Sequence, residues 1–228
     1  TAFYDGLGIE ALTGMLAFLP LPALWVLLKP QLQSAVRYEP LLREFQKLKF
    51  SPTYLGALMS QQRQLPPIFE GMKVIEMGNP EADHTLIVVS NPTCASCRRN
   101  HLALEKLVQK NSNLKCQIIM AANAQEEAGR VALQILSLPA DQMADALHSW
   151  FEKEGQQYRQ WQHTLPNHTD TPEAKHLLNM HLQWLRLAGI QTAPQYFLNS
   201  VPLPSYYNMA ELPKLMAAFS NEGFAQIK

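Results

Sequence analysis

The stretch LIVVSNPTCASCRRNHLALEKL, residues 86–107, contains the change of pattern that decides the fold. Its first four residues form a continuous apolar run, which is typical of a β-strand buried on both faces. Asn91-Pro92-Thr93 then interrupts the run, and apolar residues follow at helical spacing as far as Lys110. The sequence therefore predicts a buried central strand, a turn, and a helix that opens at Cys94.

The flanking sequence extends this pattern into one α/β sheet. Residues 73–77 predict an edge strand, and residues 114–120 and 195–199 predict two more strands. The long stretch 125–189 is mainly helical, and one of its helices is bounded by the cap Thr171 with Pro172 and by Gly189. Strands that alternate with helices predict a single sheet with crossover connections.

The chemistry is predicted at Cys94-Ala95-Ser96-Cys97. A sulfur at a helix N-terminus meets unpaired N–H groups and the positive end of the helix dipole, and both favour a thiolate. Thr93 is expected to supply the capping oxygen, and Arg98 to add positive potential. Cys94 is then the nucleophile, and Cys97, one turn deeper, resolves the mixed disulfide.

Two alternatives remain open for this motif. Cys94, Cys97 and His101 could bind a metal ion with His84 as a fourth ligand, or the domain could be catalytically idle and bind a partner through its helical region. The strand-then-helix context favours the dithiol, so we predict no metal. Cys116 alternates with apolar neighbours on its strand and is predicted to be a core thiol. The remaining histidines lack metal-ligand spacing: His148, His163, His168, His176 and His181.

A second motif, GIQTAPQYFLNSVPLPSYY at residues 189–207, follows about a hundred residues later. Together the two motifs resemble the thioredoxin superfamily. The resemblance implies a thioredoxin fold, a central mixed sheet flanked by helices, with no dissociable cofactor. It also implies that Pro194 forms a cis peptide bond beside the active disulfide and, with Ala193, contacts the substrate backbone. The family usually has threonine or valine where this chain has Ala193.

The stretch between the strands predicted at 114–120 and 195–199 is longer than in a simple thioredoxin. The extra residues, about 124–190, predict a helical insertion that resembles the one in Dsb-type periplasmic oxidoreductases, where it covers the active face. Trp150, Trp161 and Trp184 lie in this insertion, and we predict that they serve packing rather than ligand binding.

The N-terminal region predicts attachment to a membrane. Residues 11–28 carry no charge, and a helix of that length spans about 27 Å, close to the thickness of a bilayer core. Pro20 and Pro22 would kink such a helix, so a buried or interfacial hairpin is the alternative. We therefore divide the chain into an apolar segment (1–30), a connector (31–68) and a thioredoxin-like domain (69–228). The connector is expected to contain one short amphipathic helix near residues 41–48.

This arrangement resembles bacterial proteins that fuse a vitamin K epoxide reductase-type membrane domain to a thioredoxin-like domain. The resemblance implies a quinone-linked membrane redox partner and a catalytic domain outside the cytoplasm. The cysteines expected of that membrane domain do not occur in residues 1–93, so the reductase part would precede Thr1 or the span would be only an anchor. Basic residues after the span favour a cytoplasmic domain instead, but a reducing cytosol would hold the pair as dithiol.

Composition supports a folded protein with protein substrates. Of 228 residues, 47% are hydrophobic, and 19 basic residues balance 19 acidic ones, which disfavours nucleic-acid binding. Three cysteines are too few for a disulfide-stapled scaffold. The sequence as a whole predicts a membrane-attached, extracytoplasmic thiol–disulfide oxidoreductase that acts on protein thiols and disulfides.

Overall fold

The structure is a computed structural model that describes residues 20–153, 155–165, 171–204, 206–207 and 209–220. The chain divides into two compact units, Thr1–Leu55 and Gly56–Lys228. The first unit contains the long helix α1, Pro20–Lys49, and the start of helix α2, Pro52–Ser60.

Helix α1 runs through the position at which the sequence suggested a boundary, near residue 30. Pro20 is the first described residue and Pro22 lies in the first described turn of α1. The residues before Pro20 lie outside the described residues, so the kink expected at these two prolines stays a prediction. The expected short connector helix is part of this same helix.

The predicted apolar span, residues 11–28, is only partly described. Residues 11–19 lie outside the described residues, and residues 20–28 form the first turns of α1. Among the helices of the described ranges, none combines the length and the apolar character that crossing a membrane requires.

The second unit is built on a five-stranded sheet. Its strands are β1 (Ile75–Gly78), β2 (His84–Ser90), β3 (Leu114–Met120), β4 (Gln195–Leu198) and β5 (Val201–Pro202), in the spatial order β1-β3-β2-β4-β5. Strands β2 and β3 are parallel, and the other neighbouring pairs are antiparallel. Strand β2 lies in the centre, which explains its continuous apolar run. The two-residue strand β5 was not predicted, because it is too short to show a period.

Helices cover this sheet, as the sequence predicted. They are α3 (Ala95–Lys110), α4 (Glu127–Leu136), α5 (Ala140–Glu152), α6 (Tyr158–Trp161), α7 (Pro172–Ala188) and α8 (Leu212–Ser220), with 3₁₀ turns at Gln162–Thr164 and Met209–Glu211. The predicted ends of α7 are confirmed: the Thr171 hydroxyl accepts a hydrogen bond from the Ala174 N–H, and Gly189 is left-handed. The mixed sheet with flanking helices is thus the predicted fold class.

A buried histidine attaches α7 to the sheet. The His181 Nδ1 atom accepts from the Met120 N–H at 2.9 Å, so Nε2 carries the proton and donates to the Lys73 carbonyl at 2.8 Å. Burial lowers the pKa of His181 to about 4, although the Lys73 contact acts in the opposite direction. His181 is therefore neutral in the folded protein at physiological pH.

This buried histidine should make stability depend on pH. The folded-state pKa of about 4 lies below the ordinary 6.5, so the unfolded chain binds a proton first as the pH falls. The free energy of unfolding is then unaffected by this group above pH 6.5 and decreases by about 3 kcal/mol between 6.5 and 4. Urea denaturation across this range should show the decrease in the wild type and in His176→Gln, an exposed control, but a much smaller one in His181→Gln.

Candidate active site

The sulfur of Cys94 is itself the N-cap of α3. Cys94 has extended backbone angles, and its Sγ accepts a hydrogen bond from the Cys97 N–H at 3.4 Å. The prediction that Thr93 caps this helix is wrong. The Thr93 N–H and hydroxyl both donate to the Asn91 side-chain oxygen, each at 2.9 Å, so the Thr93 side chain bonds to Asn91 and not to the helix end.

Hydrogen bonds favour the thiolate of Cys94. Partial burial of the sulfur acts to raise its pKa, but contacts from Ser96 and Cys97 outweigh burial and lower the pKa below its ordinary value. The Ser96 hydroxyl lies 3.0 Å from the sulfur and can donate to it. Arg98, expected to stabilise the thiolate, donates to the Glu152 carbonyl at 3.2 Å, and its effect on the thiolate stays a prediction.

Cys97 has the opposite character. It is only 3% exposed, and burial raises the pKa of its thiol to about 12, while the Asn91 N–H, 3.4 Å from Sγ, acts in the opposite direction. Neighbouring Cys94 raises the pKa further. The pair thus consists of an accessible thiol that ionises readily and a buried thiol that stays protonated.

The structure brings the second sequence motif to this pair. The Ala193–Pro194 peptide bond is cis, as the resemblance implied, and the Ala193 carbonyl oxygen lies 3.8 Å from the Cys94 sulfur. Tyr196 links the same segment to α3, because its hydroxyl accepts from the Asn100 amide at 2.6 Å. The substrate contacts assigned to Ala193 and Pro194 stay predictions.

A groove of about 410 Å³ lies beside Cys94, between the start of α3 and the helical insertion. Arg98 lines it and donates to the Glu152 carbonyl of α5 at 3.2 Å, so this side chain joins the active-site helix to the insertion. Other lining residues are basic, acidic or aromatic: Arg99, Lys153, Glu127, Trp150 and Phe151.

Two residues that organise the active-site loop were missed in the sequence. The Asn91 amide donates to the Ala121 carbonyl at 2.9 Å, and the Trp150 indole N–H donates to the Pro92 carbonyl at 2.7 Å. The Asn-Pro turn before the cysteines was a usable signal for Asn91. No local signal pointed to this role of Trp150, because its hydrogen-bond partner, Pro92, lies 58 positions away in the chain. Trp150, Trp161 and Trp184 are all buried, as predicted.

The Cys/His metal set considered from the sequence does not form. His84 begins β2 and contacts Asn199, whereas the cysteines follow the far end of that seven-residue strand, about 20 Å away. The His101 ring is directed to Glu105, 3.0 Å away, and no described cluster of metal-ligand atoms includes a cysteine. Cys116 is fully buried, as predicted for a core thiol.

Removal of the Ser96 hydroxyl should make Cys94 less reactive. In Ser96→Ala the thiolate loses a donor, so the pKa of Cys94 rises and its alkylation at neutral pH slows. Iodoacetamide modification followed by mass spectrometry over a pH series measures both quantities. Ser60→Ala, an exposed serine on α2, is the control; equal profiles for Ser96→Ala and wild type would contradict the assignment.

The contact between Trp150 and the active-site loop can be tested with two matched tryptophans. Trp150→Phe and Trp161→Phe each remove one indole donor, to the Pro92 carbonyl and to the Ser149 hydroxyl respectively. Each should lower the free energy of unfolding by about 1–2 kcal/mol. Only Trp150→Phe should also change the alkylation rate of Cys94, because only that donor touches the loop. A similar change in Trp161→Phe would contradict this.

Solved structures share this fold. A periplasmic thioredoxin-like protein from Salmonella enterica serovar Typhimurium matches with a TM-score of 0.59 at 18% identity, over 67% of this chain and 94% of that one. Proteus mirabilis ScsC in a transitional conformation matches with a TM-score of 0.59 at 14% identity, over 85% of this chain and 98% of that one. BdbD from Bacillus subtilis matches with a TM-score of 0.52 at 14% identity, over 69% of this chain and 97% of that one. At such identities the likeness shows the fold.

The sequence comparisons agree with this fold. No curated protein matches the chain significantly. Residues 71–183 match a family model described as Thioredoxin. The matched residues include the cysteine pair, β1 to β3 and most of the insertion. The family model and the structural neighbours together support a place for this chain in the thioredoxin-like superfamily.

Proposed function

We propose that this protein is a thiol–disulfide oxidoreductase that exchanges disulfides with protein substrates. The observation that carries the proposal is the asymmetry of the cysteine pair. Cys94 is partly accessible, at a helix N-terminus, with a lowered pKa, and Cys97 is buried with a raised one. The thiolate is the reactive form of cysteine, so attack begins at Cys94.

The first step is attack of the Cys94 thiolate on one sulfur of a substrate disulfide. A bond forms between Cys94 Sγ and that sulfur, the substrate S–S bond breaks, and the other substrate sulfur leaves as a thiolate. The lowered pKa of Cys94 increases the fraction of this residue that is thiolate at neutral pH. The hydrogen bonds from Ser96 and the Cys97 N–H also hold the sulfur in position.

The second step is attack of Cys97 on Cys94. Formation of the mixed disulfide removes the charge of Cys94, which is one of the causes that raise the pKa of Cys97. Cys97 Sγ bonds to Cys94 Sγ, the bond between Cys94 and the substrate breaks, and the Cys97 proton passes to the departing substrate sulfur. The sulfur released in the first step takes its proton from water, so the substrate leaves with two thiols. Two electrons pass from the cysteine pair to the substrate disulfide, so the exchange itself needs no dissociable cofactor. The reverse sequence oxidises a substrate dithiol.

The groove supplies a place for the substrate chain. Next to Cys94, which lines the groove, the Ala193 carbonyl lies 3.8 Å from the reactive sulfur and can accept a hydrogen bond from an extended substrate backbone. Pro194 follows Ala193 through the cis peptide bond. Arg99, Lys153 and Glu127 are among the residues that line the groove itself. This mixture of charges suits polypeptide segments rather than one small molecule.

We also propose an extracytoplasmic location with a membrane redox partner, the latter as implied by the resemblance to reductase fusions. Reversible cycling of the pair requires a compartment that does not keep it reduced. The described neighbour from Salmonella is periplasmic, which supports the same location.

Resolution by Cys97 predicts that its removal traps substrates. In Cys97→Ser the mixed disulfide on Cys94 has no resolving thiol, so client proteins should stay attached and separate on non-reducing gels. Cys94→Ser should trap none and should lower insulin reduction by more than about 100-fold.

Cys116→Ala is the matched control, because Cys116 is a fully buried thiol on β3. It should retain insulin reduction and trap no clients. Absence of trapped clients in Cys97→Ser, together with insulin reduction unchanged in Cys94→Ser, would favour the idle binding module instead.

A further inference from the structure

Three potential metal ligands converge away from the cysteine pair, between α3 and α5. They are His101 and Glu105, one turn apart on α3, and His148 on α5. Their ligand atoms lie within 4.8 Å of one another, and no second such group occurs within the described ranges. The Glu105 Oε1 atom lies 3.0 Å from His101 Nε2 and 2.8 Å from His148 Nδ1.

The environment of His101 carries the inference. This side chain is 4% exposed, and its Nε2 atom has no hydrogen-bond partner among the described residues. Glu105 Oε1 is near enough for a hydrogen bond but does not have the geometry of one. A buried ring nitrogen without a partner is unfavourable unless something else binds it.

The spacing of these groups is close to that of ligands that share one ion, although His148 Nδ1 also hydrogen-bonds both oxygens of Glu105, each at 2.8 Å. Ligands of a metal point to a common centre rather than at each other, and two ligand atoms of a tetrahedral Zn²⁺ ion are about 3.3 Å apart. The observed separations of 3.0 and 2.8 Å are within half an ångström of that spacing. Small movement of the half-exposed His148 would open the site to an ion.

The chemistry of the three groups suits a divalent transition metal. Two imidazoles and one carboxylate form a zinc-binding set that leaves a fourth position for water. The Phe151 ring, 5.0 Å from the His101 ring, packs against it.

We propose that His101 Nε2, a Glu105 oxygen and His148 Nδ1 bind one Zn²⁺ ion. The ion would replace any proton held between His148 and Glu105 and would join α3 to α5. His148 lies two residues before Trp150, which contacts the active-site loop, and His101 lies four residues after Cys97. A bound ion would therefore strengthen the contact between the active-site helix and the insertion.

Zinc titration of the full chain tests this proposal. A Cys94→Ser/Cys97→Ser background excludes binding by thiolates, so the result does not depend on the proposed redox function. After treatment with a chelator, calorimetry should show one Zn²⁺ ion per chain. His148→Ala should weaken binding at least about 100-fold, because loss of even an outer partner of a metal site costs 10–100-fold. His148 is 45% exposed in its side chain, so the fold should tolerate this change.

The Cys94→Ser/Cys97→Ser protein is the parent for all variants. The matched control is His176→Ala, because His176 is an exposed histidine on α7, and this variant should bind zinc as the parent does. Glu105→Gln should also weaken binding while circular dichroism shows an unchanged fold. Zinc should raise the Tm of the parent and not that of His148→Ala. Absence of binding in the parent, or equal affinity in the parent and His148→Ala, would overturn the proposal.

Discussion

The contact between the Cys94 sulfur and the first turn of α3 is the interaction on which the active site depends. A helix N-terminus presents N–H groups that need acceptors, and a thiolate needs donors. One sulfur satisfies both requirements, because Cys94 takes the N-cap position and accepts from the Cys97 N–H. The central strand β2 leads directly into this turn, so the position of the sulfur follows from the centre of the sheet.

The different environments of the two cysteines follow from the same turn. Helical geometry places Cys97 one turn inside the fold, where burial keeps its thiol protonated, while Cys94 stays at the surface of the groove. Asn91 serves both sides of the turn, because its backbone N–H reaches Cys97 and its side chain holds Thr93 and the Ala121 carbonyl. The reactivity of the pair is therefore a property of the loop and the helix together.

The insertion contacts the active-site segment directly. Its helix α5 reaches the active-site segment through the Trp150 indole, through the carbonyl that Arg98 contacts and through the cluster of His148 with Glu105. These contacts join residues that lie 43 to 58 positions apart. Substitutions in α5 can thus change the environment of the cysteines although α5 contains no redox group.

The sequence by itself determined the elements whose signals are local. Apolar runs and helical periodicity located β2, α3 and β3, a threonine–proline start and a glycine end bounded α7, and two motifs pointed to Cys94, Cys97 and Pro194. Only the tertiary structure decided which side chain caps α3, where Arg98 and His101 point, and that α1 continues through residue 30. Periodicity and caps depend on neighbours within a few residues, whereas side-chain direction depends on partners that folding brings from distant positions.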